Sequence, residues 1–226
     1  MPTLTRTDDV FVLDLGDAQN QFHPDWVAEV GAALDEVVAA PGPRALVTAA
    51  TGKFWSTGLE PERLSGPPVQ VGAYVTAVQE LLARMLELPV PTVAALQGHT
   101  FAAGAMLALA HDFRVMRADR GFFCLPEVDI QIPFTPGMAA LIQARLQPQV
   151  AHEAMTTGRR YGGPDALAAA IVDVTAADGE VLKTATEQAH ALAPKAAPVL
   201  GAIKAEMYRP VLSALREAAF TPLPTD

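Results

Sequence analysis

The 226-residue chain holds a single cysteine, Cys124, so no disulfide can form within it. Cys124 lies in the apolar run Phe122–Phe123–Cys124–Leu125, which favours a buried structural thiol over a reactive one, because apolar surroundings suppress the thiolate. Histidine is also scarce: the five present are scattered, and His152–Glu153 lacks the second histidine of a zinc-protease helix, so no metal site is expected. Charged residues make up only 18% of the chain and apolar residues 50%, which excludes a disordered, solvated polymer. Basic residues are outnumbered, and the net charge of −9 argues against nonspecific binding to nucleic acid or to anionic lipid. A local basic site could still hold an anionic ligand.

No apolar run approaches the roughly 18 residues that a membrane span needs, and the opening MPTLTRTDDV has no apolar core of a leader. The cytoplasm is therefore the expected location, with no membrane partner. There is no Gly-rich phosphate loop, no dinucleotide fingerprint, and no nucleophile elbow around Ser56. His111 and Asp112 are adjacent, but neighbours on a strand point to opposite faces, so they do not read as a working dyad.

What is present is an alternation of strands and helices, hence an α/β fold. A strand is expected over 10–15. A helix opens at Pro24 and places Trp26, Val27, Val30, Leu34, Val37 and Val38 at helical spacing, ending in the turn Pro41–Gly42–Pro43. A strand follows over 45–48, then a Gly-, Pro- and Ser-rich loop over 51–68. A helix over 69–88 runs through Val71, Val75, Val78, Leu82 and Met85 and is stopped by Pro89 and Pro91. Further strands are expected over 92–96, 112–116, 121–124 and 171–174. Helices are expected over 102–110, 135–146 and 149–157, with one last helix near 199–219. The unit strand, turn, helix recurs over 10–40, 45–88 and 92–110, which suggests a coiled stack of similar units. No linker divides the chain.

Three segments carry chemistry. The first is Lys53–Phe54–Trp55–Ser56–Thr57–Gly58–Leu59–Glu60, after a buried strand. The second runs from Pro91 through Gln97–Gly98–His99–Thr100–Phe101–Ala102–Ala103–Gly104–Ala105 into a helix start. The third is Phe122–Phe123–Cys124–Leu125–Pro126–Glu127–Val128–Asp129–Ile130. Small residues at 102–105 let backbone approach a ligand closely, and free N–H groups at a helix start favour an anion. A tight helix–sheet contact would use the same residues. Glu127 is either a base in a pocket or a carboxylate on a surface loop.

In their order and spacing these segments, together with Gly162–Gly163–Pro164–Asp165–Ala166 before a strand, resemble the crotonase (enoyl-CoA hydratase/isomerase) superfamily over residues 10–205. The resemblance implies a ββα-superhelix, a spiral core over 1–195, followed by a short C-terminal helical segment over 196–226. It implies an acyl-CoA thioester as substrate and no cofactor beyond it. It also implies an oxyanion hole made by the backbone N–H groups of Leu59 and Ala103, and a homo-oligomer, trimer or hexamer.

Hydratases of the family use two glutamates. The first position falls here on Met106, which can neither hold water nor transfer a proton, and the second on Glu127. One carboxylate suits a proton shuttle better than water addition, and the pattern is similar to the family's Δ3,Δ2-enoyl-CoA isomerases. The run Pro126–Glu127–Val128–Asp129–Ile130 into Ile132–Pro133–Phe134–Thr135–Pro136 resembles the plant-type members of that group. The altered turn Thr135–Pro136–Gly137–Met138 favours the same branch.

Phe101, Met106 and Ile132 are the expected pocket side chains, with Glu127 the expected catalytic base, its pKa raised by desolvation. Asp129 is expected to brace the loop, and residues 71–85 either border the acyl tunnel or form a plain core helix. Lys53 and Arg63 are possible phosphate partners or merely solvated charges. Glu60 stands where an aspartate is common in the family. Hydratase, thioester hydrolase and decarboxylase chemistry, or a silent acyl-CoA-binding subunit, are the alternatives that the same resemblance allows.

Overall fold

A computed structural model of the chain describes residues 1–217. Two sheets organise it. The larger has six strands, in the order β1 (Thr3–Thr7), β2 (Val10–Asp14), β3 (Ala45–Ala49), β5 (Thr92–Leu96), β7 (Phe113–Arg117) and β9 (Val174–Ala176). The smaller has three, β4 (Phe54–Ser56), β6 (His99–Phe101) and β8 (Phe123–Cys124). Only β1 runs antiparallel to its neighbour; every other pairing is parallel.

Parallel strands are covered on both faces and read as unbroken apolar runs. That is why Ala45–Ala49 and Thr92–Leu96 are buried throughout. Their alternate side chains serve two cores. Val47, Val93, Ala95 and Val115 meet Val181, Ala185 and Ala189 of α8 (Val181–Leu192). Leu46, Ala94, Leu96 and Met116 turn to the larger core on the other side.

The chain repeats one unit: a strand of the large sheet, a strand of the small sheet, then a helix. β3 and β4 lead to α2 (Pro61–Leu64) and α3 (Pro68–Leu86). β5 and β6 lead to α4 (Ala103–Ala110), and β7 and β8 to α5 (Pro136–Arg145). β2 leads to α1 (Pro24–Ala39) through Gln21, which bridges to Gly58 at the end of β4. Because successive units pair in both sheets, the chain winds as a spiral, as the recurrence in the sequence suggests. α6 (Pro148–Thr157), α7 (Gly163–Ala168), α9 (Pro198–Met207) and α10 (Arg209–Arg216) complete the described part.

Three local expectations need correction, and one strand, β1, was not expected. The stretch 51–68 is not all loop: it contains β4 and α2, and β6 precedes the helix at 103. Strands this short owe their existence to pairing with distant segments, which local composition does not report. The last strand lies at 174–176 instead of 171–174. Ile171 and Val172 are buried core residues whose N–H groups close the end of α7 on the Ala166 carbonyl. β1 is a mostly exposed edge strand, Thr-Leu-Thr-Arg-Thr, without an apolar pattern to announce it. The helix expected over 199–219 is two helices, α9 and α10, with the break at Tyr208 and Pro210 just inside the second. Positions 218–219 lie outside the described residues, as does the end of the segment 196–226.

The C-terminal helices are fastened to the core. Lys204 of α9 is buried, and its Nζ donates to the Leu88 and Val90 carbonyls at 3.0 and 2.9 Å and to Asp112 at 2.7 Å. α10 packs on α5 and α3 through Val211, Leu212 and Leu215. No helix among the described residues is long and apolar enough to cross a membrane.

Candidate active site

β4 and α4 approach each other backbone to backbone. Gly58, at φ +78°, has no room for a side chain: a Cβ there would stand 2.6 Å from the Ala103 nitrogen and 2.8 Å from that of Gly104. The turn around it is held by hydrogen bonds. The Gly58 N–H donates to Ser56 Oγ at 3.1 Å, the Ser56 hydroxyl to the Asn20 carbonyl at 2.8 Å, and the Asn20 amide to the carbonyls of Phe54 and Trp55. On the other side Ala102 turns the chain from β6 into α4 within one residue, at φ 50° and ψ −128°. A non-glycine residue held there stores about 1–3 kcal/mol of strain. Its N–H donates to the Cys124 carbonyl at 3.1 Å, and its own carbonyl accepts from Met106 at 3.1 Å.

Next to this contact lies a cavity of about 190 Å³. Its wall includes all six residues singled out in the sequence: Leu59, Phe101, Ala103, Met106, Glu127 and Ile132. Thr57, Pro61, Leu64, Val75, Ala102, Pro126, Ile130, Pro133, Phe134, Thr135 and Met138 complete it. Among the described residues the lining side chains are apolar apart from Thr57, Thr135 and the carboxyl group of Glu127. The N–H groups of Leu59 and Ala103, on either side of the Gly58 contact, have no acceptor among the described residues.

Glu127 is on a loop, but it is not a surface residue: it is 6% exposed, and its Oε2 has no hydrogen-bond partner among the described residues. Burial pushes its pKa up to about 7, opposed by a smaller effect of its own backbone N–H. The loop is fixed by the Ile132 N–H donating to the Glu127 carbonyl at 3.0 Å, and by the Asp129 and Ile130 N–H groups donating to Pro126. Asp129 is exposed, lies outside the cavity and packs against Gly158.

The remaining sequence candidates are placed elsewhere. Lys53 and Arg63 do not line the cavity; Arg63 pairs with Glu60 and stands over the Tyr74 ring. Cys124 is buried, and burial pushes its thiol up to about 11. His111 and Asp112 diverge. His111 lies between the Leu107 carbonyl and the Thr48 hydroxyl, each at 2.8 Å, and burial lowers its pKa to about 4. With Leu107 accepting from Nδ1, Nε2 accepts from Thr48. Asp112 bonds to Thr92 and Lys204.

Sequence reasoning did not name Thr57, Leu64, Thr135 or Met138 as pocket residues, although Thr57 lies in the first segment and Thr135 and Met138 in the altered turn. It also did not find the buried pair in which Thr135 Oγ1 donates to Gln79 Oε1 at 2.5 Å. A signal for that pair existed: Gln79 interrupts an otherwise apolar helix face, and a buried amide needs a partner.

Comparison with known proteins agrees with this architecture. The family model described as enoyl-CoA hydratase/isomerase matches residues 7–221, and the chain belongs to that family. It is 36% identical over 189 residues to peroxisomal enoyl-CoA delta isomerase 2 of Arabidopsis thaliana, covering 80% of this chain and 79% of the relative. The solved enoyl-CoA isomerase of Mycobacterium tuberculosis superposes with a TM-score of 0.85 at 26% identity, covering 95% of this chain and 94% of that one. Human mitochondrial Δ3-Δ2-enoyl-CoA isomerase shares the fold, with a TM-score of 0.87 at 22% identity over 95% of this chain and 85% of its own.

Proposed function

We propose that the chain converts 3-enoyl-CoA to 2-enoyl-CoA, with Glu127 as the sole proton carrier. The observation that carries this reading is the cavity itself. Among the described residues its wall holds one carboxyl group, that of Glu127, held near a pKa of 7, and the other potential acid position is Met106. Glu127 takes the proton from C2 of the substrate. The electron pair moves into the C2–C1 bond, and negative charge grows on the thioester oxygen. The N–H groups of Leu59 and Ala103, at the start of α4, receive that charge; one such donor typically contributes about 3 kcal/mol. The dienolate then takes the same proton back at C4, leaving the double bond between C2 and C3, conjugated with the thioester. Atoms and charge balance without any group beyond the substrate and this chain.

Glu127 is suited to both halves. A carboxyl group with a pKa near 7 is ionised often enough to accept a proton and protonated easily enough to return it. Hydration would need a second acid–base group to activate water, and Met106 offers none. The plant relative's name supports the same direction. A homo-oligomer, trimer or hexamer, belongs to this reading. Val199, Ile203 and Met207, spaced four apart on α9, are exposed and suit a contact between copies; light scattering of the purified chain tests it.

The activity is tested by incubating the protein with 3-enoyl-CoA and following the conjugated product by absorbance, and separately with 2-enoyl-CoA to look for hydration. Isomerisation without hydration is the expected outcome. Hydration as the faster reaction would overturn the single-carboxylate reading.

A further inference from the structure

The cavity has a mouth and a closed end. Pro61, Ile130 and Pro133 are exposed at its rim, whereas Val75, Met106 and Met138 are 1%, 2% and 4% exposed. Val75 comes from α3 and Met138 from the first turn of α5. The Thr135–Gln79 hydrogen bond ties these two helices together beside them. Behind this wall lies α10. At Gly137, next to Met138, a Cβ would stand 2.6 Å from Leu215 Cα and 2.7 Å from the Ala214 carbonyl oxygen. Leu212 and Leu215 fill the space between α10 and the two helices. The end wall therefore cannot retreat without moving a packed helix.

An apolar cavity of about 150 Å³ holds a six-carbon ring. A cavity of about 190 Å³ thus holds roughly six to eight carbons. We propose that Val75 and Met138, backed by α10, form a fixed end stop that limits the acyl chain of the substrate to about six to eight carbons. The proposal rests on the acyl-CoA reading of this cavity but not on the isomerisation chemistry.

The test is calorimetric titration of the full chain with saturated acyl-CoA thioesters from four to sixteen carbons, for which no turnover is needed. Affinity is expected to rise about fourfold per methylene up to six to eight carbons and then to level or fall. In Met138→Ala the rise is expected to continue for about two more carbons, and Val75→Ala is the independent second variant. A wild-type rise that continues to sixteen carbons overturns the proposal. So does an unchanged break point in both folded variants, with folding checked by circular dichroism. A break at six to eight carbons in a protein that fails to isomerise 3-enoyl-CoA upholds the end stop and removes the isomerase reading. Absence of acyl-CoA binding at every length removes both.

Discussion

Replacing Glu127 by glutamine is expected to make the fold more stable at high pH while abolishing turnover. In the unfolded chain this carboxyl titrates near the usual 4.5; in the folded chain burial holds it at about 7. The protonated form is therefore favoured by folding. The stability associated with it is fully present below about 4.5 and is lost as the pH rises through about 7. Between those values the folded state holds one more proton than the unfolded state, so stability falls by about 1.4 kcal/mol per pH unit, or about 3 kcal/mol in all. Glutamine is isosteric and does not titrate. The assay is urea unfolding of both proteins from pH 4.5 to 8.5, taking the difference in unfolding free energy at each pH. Wild type minus Glu127→Gln is expected to decline by about 3 kcal/mol across the window. A difference that stays flat would refute the reasoning, since it would mean that Glu127 is solvated or paired in the folded protein.

Three further outcomes follow from the packing. Gly58→Ala puts a Cβ against the Ala103 nitrogen at positive φ; it is expected to cost about 2–4 kcal/mol by urea unfolding and to lower kcat more than it weakens acyl-CoA binding. Lys204→Met strips the Leu88 and Val90 carbonyls and Asp112 of their shared donor and is expected to cost about 3 kcal/mol in the same experiment, since removing one partner of a buried pair leaves the other uncompensated. Met106→Glu introduces a second acid into the cavity with Glu127; the two then titrate as a coupled pair, and the acid limb of the pH–rate profile is expected to move upward. An unchanged limb would show that position 106 does not interact with Glu127.

The sequence made much of the candidate site legible because its residues fall in short contiguous segments. Leu59, Phe101, Ala103, Met106, Glu127 and Ile132 could be picked out one by one, and the folded chain gathers all six around a single cavity. The long buried strands at 45–49 and 92–96 and the helix through Val71 and Met85 were equally plain, since apolar runs and helical spacing are local signals. The end wall was only partly legible. The helix over 71–85 was open to two readings, a border of the acyl tunnel or a plain core helix, and Val75 does line the cavity. Thr135 and Met138 stood out only as an altered turn, and their place in the wall, like the partner of Gln79, arises when α3, α5 and α10 pack together. Of the small sheet only β8 was legible, within the strand expected over 121–124; β4 and β6 were missed because each has three residues and exists through its neighbours.

The central claim is that one buried carboxyl group moves one proton. It is tested most directly with 3-enoyl-CoA deuterated at C2, given to the wild type and to Glu127→Gln. Label recovered at C4 of the 2-enoyl product from wild type, with the variant binding acyl-CoA normally but making no product, is the result the single-carboxylate mechanism requires. Turnover of the variant at the wild-type rate would contradict it.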